Sequence, residues 1–110
     1  MHYGILFRRL FAQYATDLKR LEKLGLVRPG TVVLADNVVF PGAPELLTYL
    51  GVPFQVGTDN VSGQECLVVP TAATKPSAAY DSNKWRSRLI SVPFEYRPLT
   101  PDAISYSERL

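Results

Sequence analysis

Leu6, Leu10, Tyr14, Leu18, Leu21 and Leu24 recur three or four positions apart, a spacing that puts side chains on one face of an α-helix and predicts a helix from about residue 4 to 24. Lys19, Arg20 and Lys23 crowd its last turn, where positive charge suits the negative end of the helix dipole, and Gly25 can take the left-handed conformation that closes a helix. Pro29-Gly30 predicts a type II turn, because proline presets the first central position and glycine supplies the positive φ required at the second. Thr31-Val32-Val33-Leu34-Ala35 follows without polar alternation. That is how a strand covered on both faces reads, as at the centre of a parallel α/β sheet. The run ends in Asp36-Asn37, at the carboxyl edge where open α/β sheets bind ligands.

Beyond the Pro41-Gly42-Ala43-Pro44 turn, Glu45 to Leu50 predicts a short helix with Leu46, Leu47 and Leu50 inward, closed by Gly51. From 52 to 87 periodicity is lost amid Gly, Pro, Ser, Thr, Asn and Asp, apart from the apolar island Cys66-Leu67-Val68-Val69. A mobile loop is expected there. Arg88 to Phe94 and Asp102 to Ser107 are strand-like and read as an antiparallel hairpin, with Pro93 marking a bulge or an edge because it cannot donate to a ladder.

Composition narrows the classes. With 110 residues, 46% hydrophobic and 20% charged, the chain makes one soluble α/β domain with a modest core. Twelve basic against ten acidic residues leave +2, too little charge to point to a nucleic-acid partner. The single cysteine, Cys66, excludes an internal disulfide and a Cys-built zinc site and fits a reducing compartment, so the cytoplasm is the expected location. No stretch approaches the roughly 18 consecutive apolar residues that suggest a membrane span. MHYGILFRRLFAQYAT carries two arginines and no acid, a pattern shared with mitochondrial transit peptides, although the first turns of a buried helix explain it more simply.

Candidate chemistry is sparse. Asp36 and Asn37 are oxygen donors of the kind a hard cation such as magnesium prefers, and they are equally a device for satisfying turn backbone groups at a strand end. Glu95, just past a strand, is a carboxylate that can meet a substrate hydroxyl or simply pair with Arg97 or Arg88. Cys66 reads as a small buried hydrophobe, His2 as disordered, Trp85 and Tyr80 as packing anchors or a stacking surface, and Arg8-Arg9 and Lys19-Arg20 as exposed helix charges. There is no Gly-rich strand-to-helix loop for a nucleotide-like cofactor and no Ser-His-Asp, Cys-His or zinc-type spacing.

The stretch YATDLKRLEKLGLVRPGTVVLADNVVFPGAPELLTYL, Tyr14 to Leu50, closely resembles the catechol O-methyltransferases: a helix ending in GLV, a basic residue, a turn, TVVLADNV, and PG-P before another helix. RLISVPFEYRPLTPDAISYS looks like the last two strands of that family, particularly of its fungal and microbial members. The resemblance implies a class I methyltransferase fold, a Rossmann-like seven-stranded sheet with one antiparallel strand, that uses S-adenosylmethionine and magnesium to methylate one hydroxyl of a catechol. It further implies that Asp36 and Asn37 are magnesium ligands, that Pro41 lines the catechol pocket, and that Glu95 hydrogen-bonds the hydroxyl that is not methylated. The metal would bind both catechol oxygens, lower a hydroxyl pKa and orient the oxygen toward the methyl group.

Two departures qualify the implied activity. The family's aspartate, histidine, aromatic and lysine ahead of the Tyr-containing helix, which supply a third metal ligand, a cofactor contact and a general base, fall here on Arg8, Arg9, Leu10 and Phe11. An arginine in a ligand's place repels the cation. The family's cofactor-binding half would precede residue 1, so the expected architecture is the C-terminal part of the fold, one buried strand plus a terminal hairpin with flanking helices, inactive alone. The alternative expectation is a non-catalytic interaction protein that docks on a full-length relative or another partner, in homo- or hetero-association, through the exposed edge of its sheet.

Overall fold

The computed structural model describes residues 4–7, 13–58, 63, 65–70, 78–82, 84–94 and 97–110. The chain runs β1 (Gly4–Phe7), α1 (Tyr14–Lys23), β2 (Val32–Ala35), a π-type turn (Val38–Gly42), α2 (Pro44–Leu50), β3 (Gln55–Thr58), β4 (Glu65–Val68), β5 (Tyr80–Ser82), β6 (Trp85–Phe94) and β7 (Arg97–Arg109). Five strands form one sheet in the order β1-β2-β7-β6-β5, and β3-β4 is a separate hairpin. This mixed α/β architecture is consistent with part of a methyltransferase fold.

The helix expected from residue 4 to 24 proves to be a strand followed by a shorter helix. α1 buries Tyr14, Ala15 and Leu18. In β1, Ile5 and Phe7 pack against the core while Leu6 is 62% exposed, the period of a strand rather than a helix. β1 pairs parallel with β2, from Gly4 opposite Val32 to Phe7 opposite Ala35, and so satisfies backbone groups of β2 on the side away from β7. The edge expected to be bare on β2 is therefore covered, and the outer strands are β1 and β5. Phe7 also stacks on Tyr14, ring centroids 5.2 Å apart. Leu6 fitted both periods, which is why the stripe misled.

The Pro29-Gly30 turn forms as expected: Thr31 N–H donates to Arg28 O at 2.9 Å and Gly30 has φ +93°. β2 departs from expectation in two ways. Its neighbours are mixed, parallel β1 and antiparallel β7, and only Val33 and Ala35 are buried while Val32 and Leu34 are half-covered. α2 matches the reading of Glu45 to Leu50, with Pro44 at its first position, where the missing N–H costs nothing, and Leu46, Leu47 and Leu50 fully buried.

The loop expected over 52–87 contains strands among its described residues. Val56 pairs with Leu67 in the β3-β4 hairpin, and β5 pairs with the start of β6. Four-residue strands, one holding Gly57, are too short for alternation to show. Leu67 is buried against the π-type turn, so close that a Cβ on Gly42 would lie 2.9 Å from its Cγ. The β6-β7 hairpin forms, but its strands are longer than read, β6 beginning at Trp85 rather than Arg88 and β7 at Arg97 rather than Asp102. Its register shifts between Pro93 and Phe94, where proline cannot donate.

Both helices lie on one face of the large sheet. There Val33, Ala35, Leu89, Trp85 and Ala103 meet Leu18, Leu46, Leu47 and Leu50. Ser87 and Ser107, buried cross-strand neighbours, share a 2.7 Å hydrogen bond. α1 and α2 are tied by Tyr49, whose hydroxyl donates to Glu22 Oε1 at 2.6 Å. Burial, then the Glu22 carboxylate, push the Tyr49 pKa up to about 12.

Two measurements test this packing. Gly25 and Gly51 both have positive φ, but a Cβ meets nothing at Gly25 and lies 2.9 Å from Ser82 Cβ and 3.1 Å from Asp81 O at Gly51. Urea unfolding is expected to show a loss of about 1 kcal/mol for Gly25→Ala, the left-handed penalty alone, and about 2–3 kcal/mol for Gly51→Ala, where overpacking adds to it. For Tyr49, the unfolded phenol loses its proton near pH 10 and the folded one near 12, so between these values the unfolded chain binds fewer protons and stability falls as pH rises. The difference in urea midpoint between the native chain and Tyr49→Phe is expected to be constant below pH 10 and to shrink from 10 to 12.

Candidate functional site

The site grows from the carboxyl end of β2. Asp36 N–H donates to Phe7 O at 3.1 Å, which keeps β1 and β2 in step for one more residue. The chain then turns sharply: Asn37 is left-handed, φ 59° and ψ 35°, a conformation that asparagine tolerates better than most residues. Its N–H donates to Asp36 Oδ1 at 2.8 Å. The turn reading of Asp36-Asn37 is thus realised in the backbone. The π-type turn follows, with Gly42 N–H donating to Asn37 O at 3.1 Å and Ala43 N–H to Val38 O at 2.9 Å. Such wide turns cluster at functional sites.

Asp102 holds this turn in place. It sits on β7 opposite Val92, in phase with Ile104 and Tyr106, yet only 3% of it is exposed because the π-type turn closes over that end of the sheet. Its Oδ2 accepts from Asn37 Nδ2 at 2.9 Å, and its Oδ1 accepts from Val39 N–H at 3.2 Å. One buried carboxylate therefore fixes both the side chain of Asn37 and the backbone beyond it. Because Nδ2 is committed to Asp102, the orientation of the Asn37 amide is set, and its Oδ1 points away from that carboxylate.

Sequence reasoning missed Asp102. The available signal was an aspartate at the head of a strand-like run, a residue type depleted in strands, but its partners lie 63 and 65 positions away. Of the other candidates, Pro41 belongs to the π-type turn by its backbone, while its side chain, the Cys66 side chain, and all of His2, Arg8, Arg9 and Glu95 lie outside the described residues. Trp85 is 1% exposed, a packing anchor, and Tyr80 packs beside the core. Lys19 places its ammonium 5.1 Å from the Tyr49 ring centre.

As a metal site the donor set is of the right kind, two adjacent side-chain oxygens held by a shared turn. Among the described residues no cluster of three or more His, Cys, Asp or Glu could hold a metal. The pair suits a cation that takes few protein ligands and completes its shell with water and substrate oxygens, which is the habit of magnesium. Among the same residues no helix is long and apolar enough to cross a membrane.

Comparison with known proteins bears on the same region. No protein-family model matches the chain. It is 55% identical over 38 residues to the catechol O-methyltransferase of Bos taurus, a match covering 34% of this chain and 14% of that protein. It is 54% identical over 37 residues to catechol O-methyltransferase B of Danio rerio, covering 34% of this chain and 14% of that protein. The transmembrane O-methyltransferase of Homo sapiens is 53% identical over 36 residues, 33% of this chain and 12% of that protein. A third of the chain is thus similar to a segment of these O-methyltransferases. More narrowly, it is catechol O-methyltransferase-like and corresponds to the C-terminal portion of those proteins. The match covers only 14% of the bovine protein's length and 20% of the Sus scrofa one.

Replacing Asp102 by alanine is expected to strand the Asn37 amide and the Val39 N–H and to lower stability in urea unfolding by about 1–3 kcal/mol. Asp102→Asn, which keeps one acceptor, is expected to cost less.

Proposed function

We propose that the chain is part of a catechol O-methyltransferase-like protein and that Asp36 and Asn37 are its magnesium ligands. The observation that carries this reading is the Asn37 amide, fixed by its hydrogen bond to buried Asp102 beside the Asp36 carboxylate. An amide held for the turn alone has no need of a buried carboxylate partner, whereas a ligand oxygen must be aimed. The methyl donor of the proposed reaction is S-adenosylmethionine, and magnesium, when bound, would lower the pKa of a catechol hydroxyl and draw both oxygens into one orientation. The chain's own part is to hold the ligand pair rigidly at the end of β2. Pro41, on the adjoining turn, would wall the ring, and Glu95 would accept a hydrogen bond from the hydroxyl that keeps its proton. Arg8 stands where a third, anionic ligand is expected, so these 110 residues are proposed to bind the metal weakly and to be inactive alone.

Manganese stands in for magnesium as a paramagnetic probe. On its addition, the backbone amide signals of Asp36 to Val39 are expected to broaden first in NMR spectra, to recover on adding excess magnesium, and to be insensitive to manganese in Asp36→Ala. Arg8→Asp is expected to tighten manganese binding by about tenfold, since it replaces a repelling charge by an attracting one. Uniform broadening that Asp36→Ala leaves unchanged would refute the assignment. With no glycine-rich cofactor loop in the sequence, calorimetric titration of S-adenosylmethionine is expected to show no micromolar binding.

A further inference from the structure

Among the described residues, α1 and α2 cover one face of the large sheet, and on the other the π-type turn covers the end at Asp102. Elsewhere on that second face, Ile90 is 48% exposed, Tyr106 38% and Leu6 62%, and Leu6, Leu34, Tyr106 and Arg88 lie in one row across four strands. Exposed apolar side chains gathered on one sheet face among charged ones suit an interaction surface. Its pattern identifies the partner. Along the β6-β7 seam the cross-strand pairs on this face are Ile90 with Ile104, Arg88 with Tyr106, and Arg86 with Glu108. Each is a pair whose members attract: apolar with apolar, cation with aromatic ring, cation with carboxylate.

We propose that this face binds a second copy of the chain, face to face, about a two-fold axis running along the seam between β6 and β7. Such an axis exchanges the two strands without changing height along them. Each β7 residue then lies over its own cross-strand neighbour from the other copy: Ile104 over Ile90, Tyr106 over Arg88, Glu108 over Arg86, each contact made twice. Arg88 and Glu108 are exposed. Glu108 neighbours Arg86 across the seam and acts on it through charge, and Arg86 also holds its β5 neighbour Asp81 through two nitrogens, at 2.9 and 3.2 Å. The second copy therefore meets Arg88 unpaired among the described residues and Arg86 through its remaining amino group. Aligned packing of two twisted sheets keeps their strands within about 30° of each other, which preserves these central contacts. The contact uses the face and not the edges of the sheet, and it is independent of the metal reading.

Sedimentation equilibrium of the 110-residue chain tests it. A monomer–dimer equilibrium is expected. Ile90→Lys, at an exposed position, is expected to raise the dissociation constant by at least about tenfold with an unchanged circular dichroism spectrum. Glu108→Arg and Arg86→Glu each set like charges against each other twice and are expected to raise it by about as much, while an equimolar mixture of the two variants, with opposite charges at both contacts, is expected to dimerise again. If a charge variant fails to fold, Ile90→Lys still decides. A chain that is monomeric at every concentration overturns the proposal, and so does a dimer that none of these substitutions weakens, as pairing through the edge of β1 would give.

Discussion

The pairing of β2 with β7 governs the remainder of the molecule. Val32 to Ala35 lie against Glu108 to Ser105, and the backbone bonds continue past the strand, with Arg109 N–H donating to Thr31 O at 2.9 Å and Gly30 N–H to Arg109 O at 2.8 Å. The alternation of side chains along a strand makes this register an all-or-none choice. A slip by one residue would turn Val33 and Ala35 out of the core and carry Asn37 away from Asp102. The position of the site and the identity of the buried face are therefore one decision, taken by four residue pairs.

Features that depend on neighbours in sequence were legible. α2 followed from its leucine spacing between Pro44 and Gly51, the turn before β2 from Pro29-Gly30, and the irregularity late in β6 from Pro93, because each rests on the conformational rules of adjacent residues. β1, β3 and β4 were not legible, since four residues hold too few turns of either period to separate strand from helix or loop. What makes Gly4–Phe7 a strand is the open side of β2, a partner that local pattern does not contain. The same reason hid Asp102: its value lies wholly in a turn that the chain forms long before it reaches that residue.

The two readings of Asp36-Asn37, turn device and ligand pair, are not rivals in the folded chain. Asp36 Oδ1 accepts the Asn37 N–H, and the left-handed Asn37 sends its amide back to β7. A tight turn in which Asp36 Oδ1 and Asn37 Nδ2 are both held by hydrogen bonds is also a rigid one, and rigidity is what a metal-ligating pair requires of its surroundings. The stretch that resembles catechol O-methyltransferases, Tyr14 to Leu50, spans α1, β2, the π-type turn and α2, so the likeness covers this turn and the helices behind it, whereas Asp102 comes from the hairpin beyond.

The central place of β7 also orders the events of folding. β6 and β7 are joined by a short connection and can pair within microseconds as a hairpin. β2 must close a loop of most of the chain to reach β7, and contacts of such sequence separation form slowly. The Asn37-to-Asp102 bond, which joins residues 65 positions apart, is one of these long-range contacts.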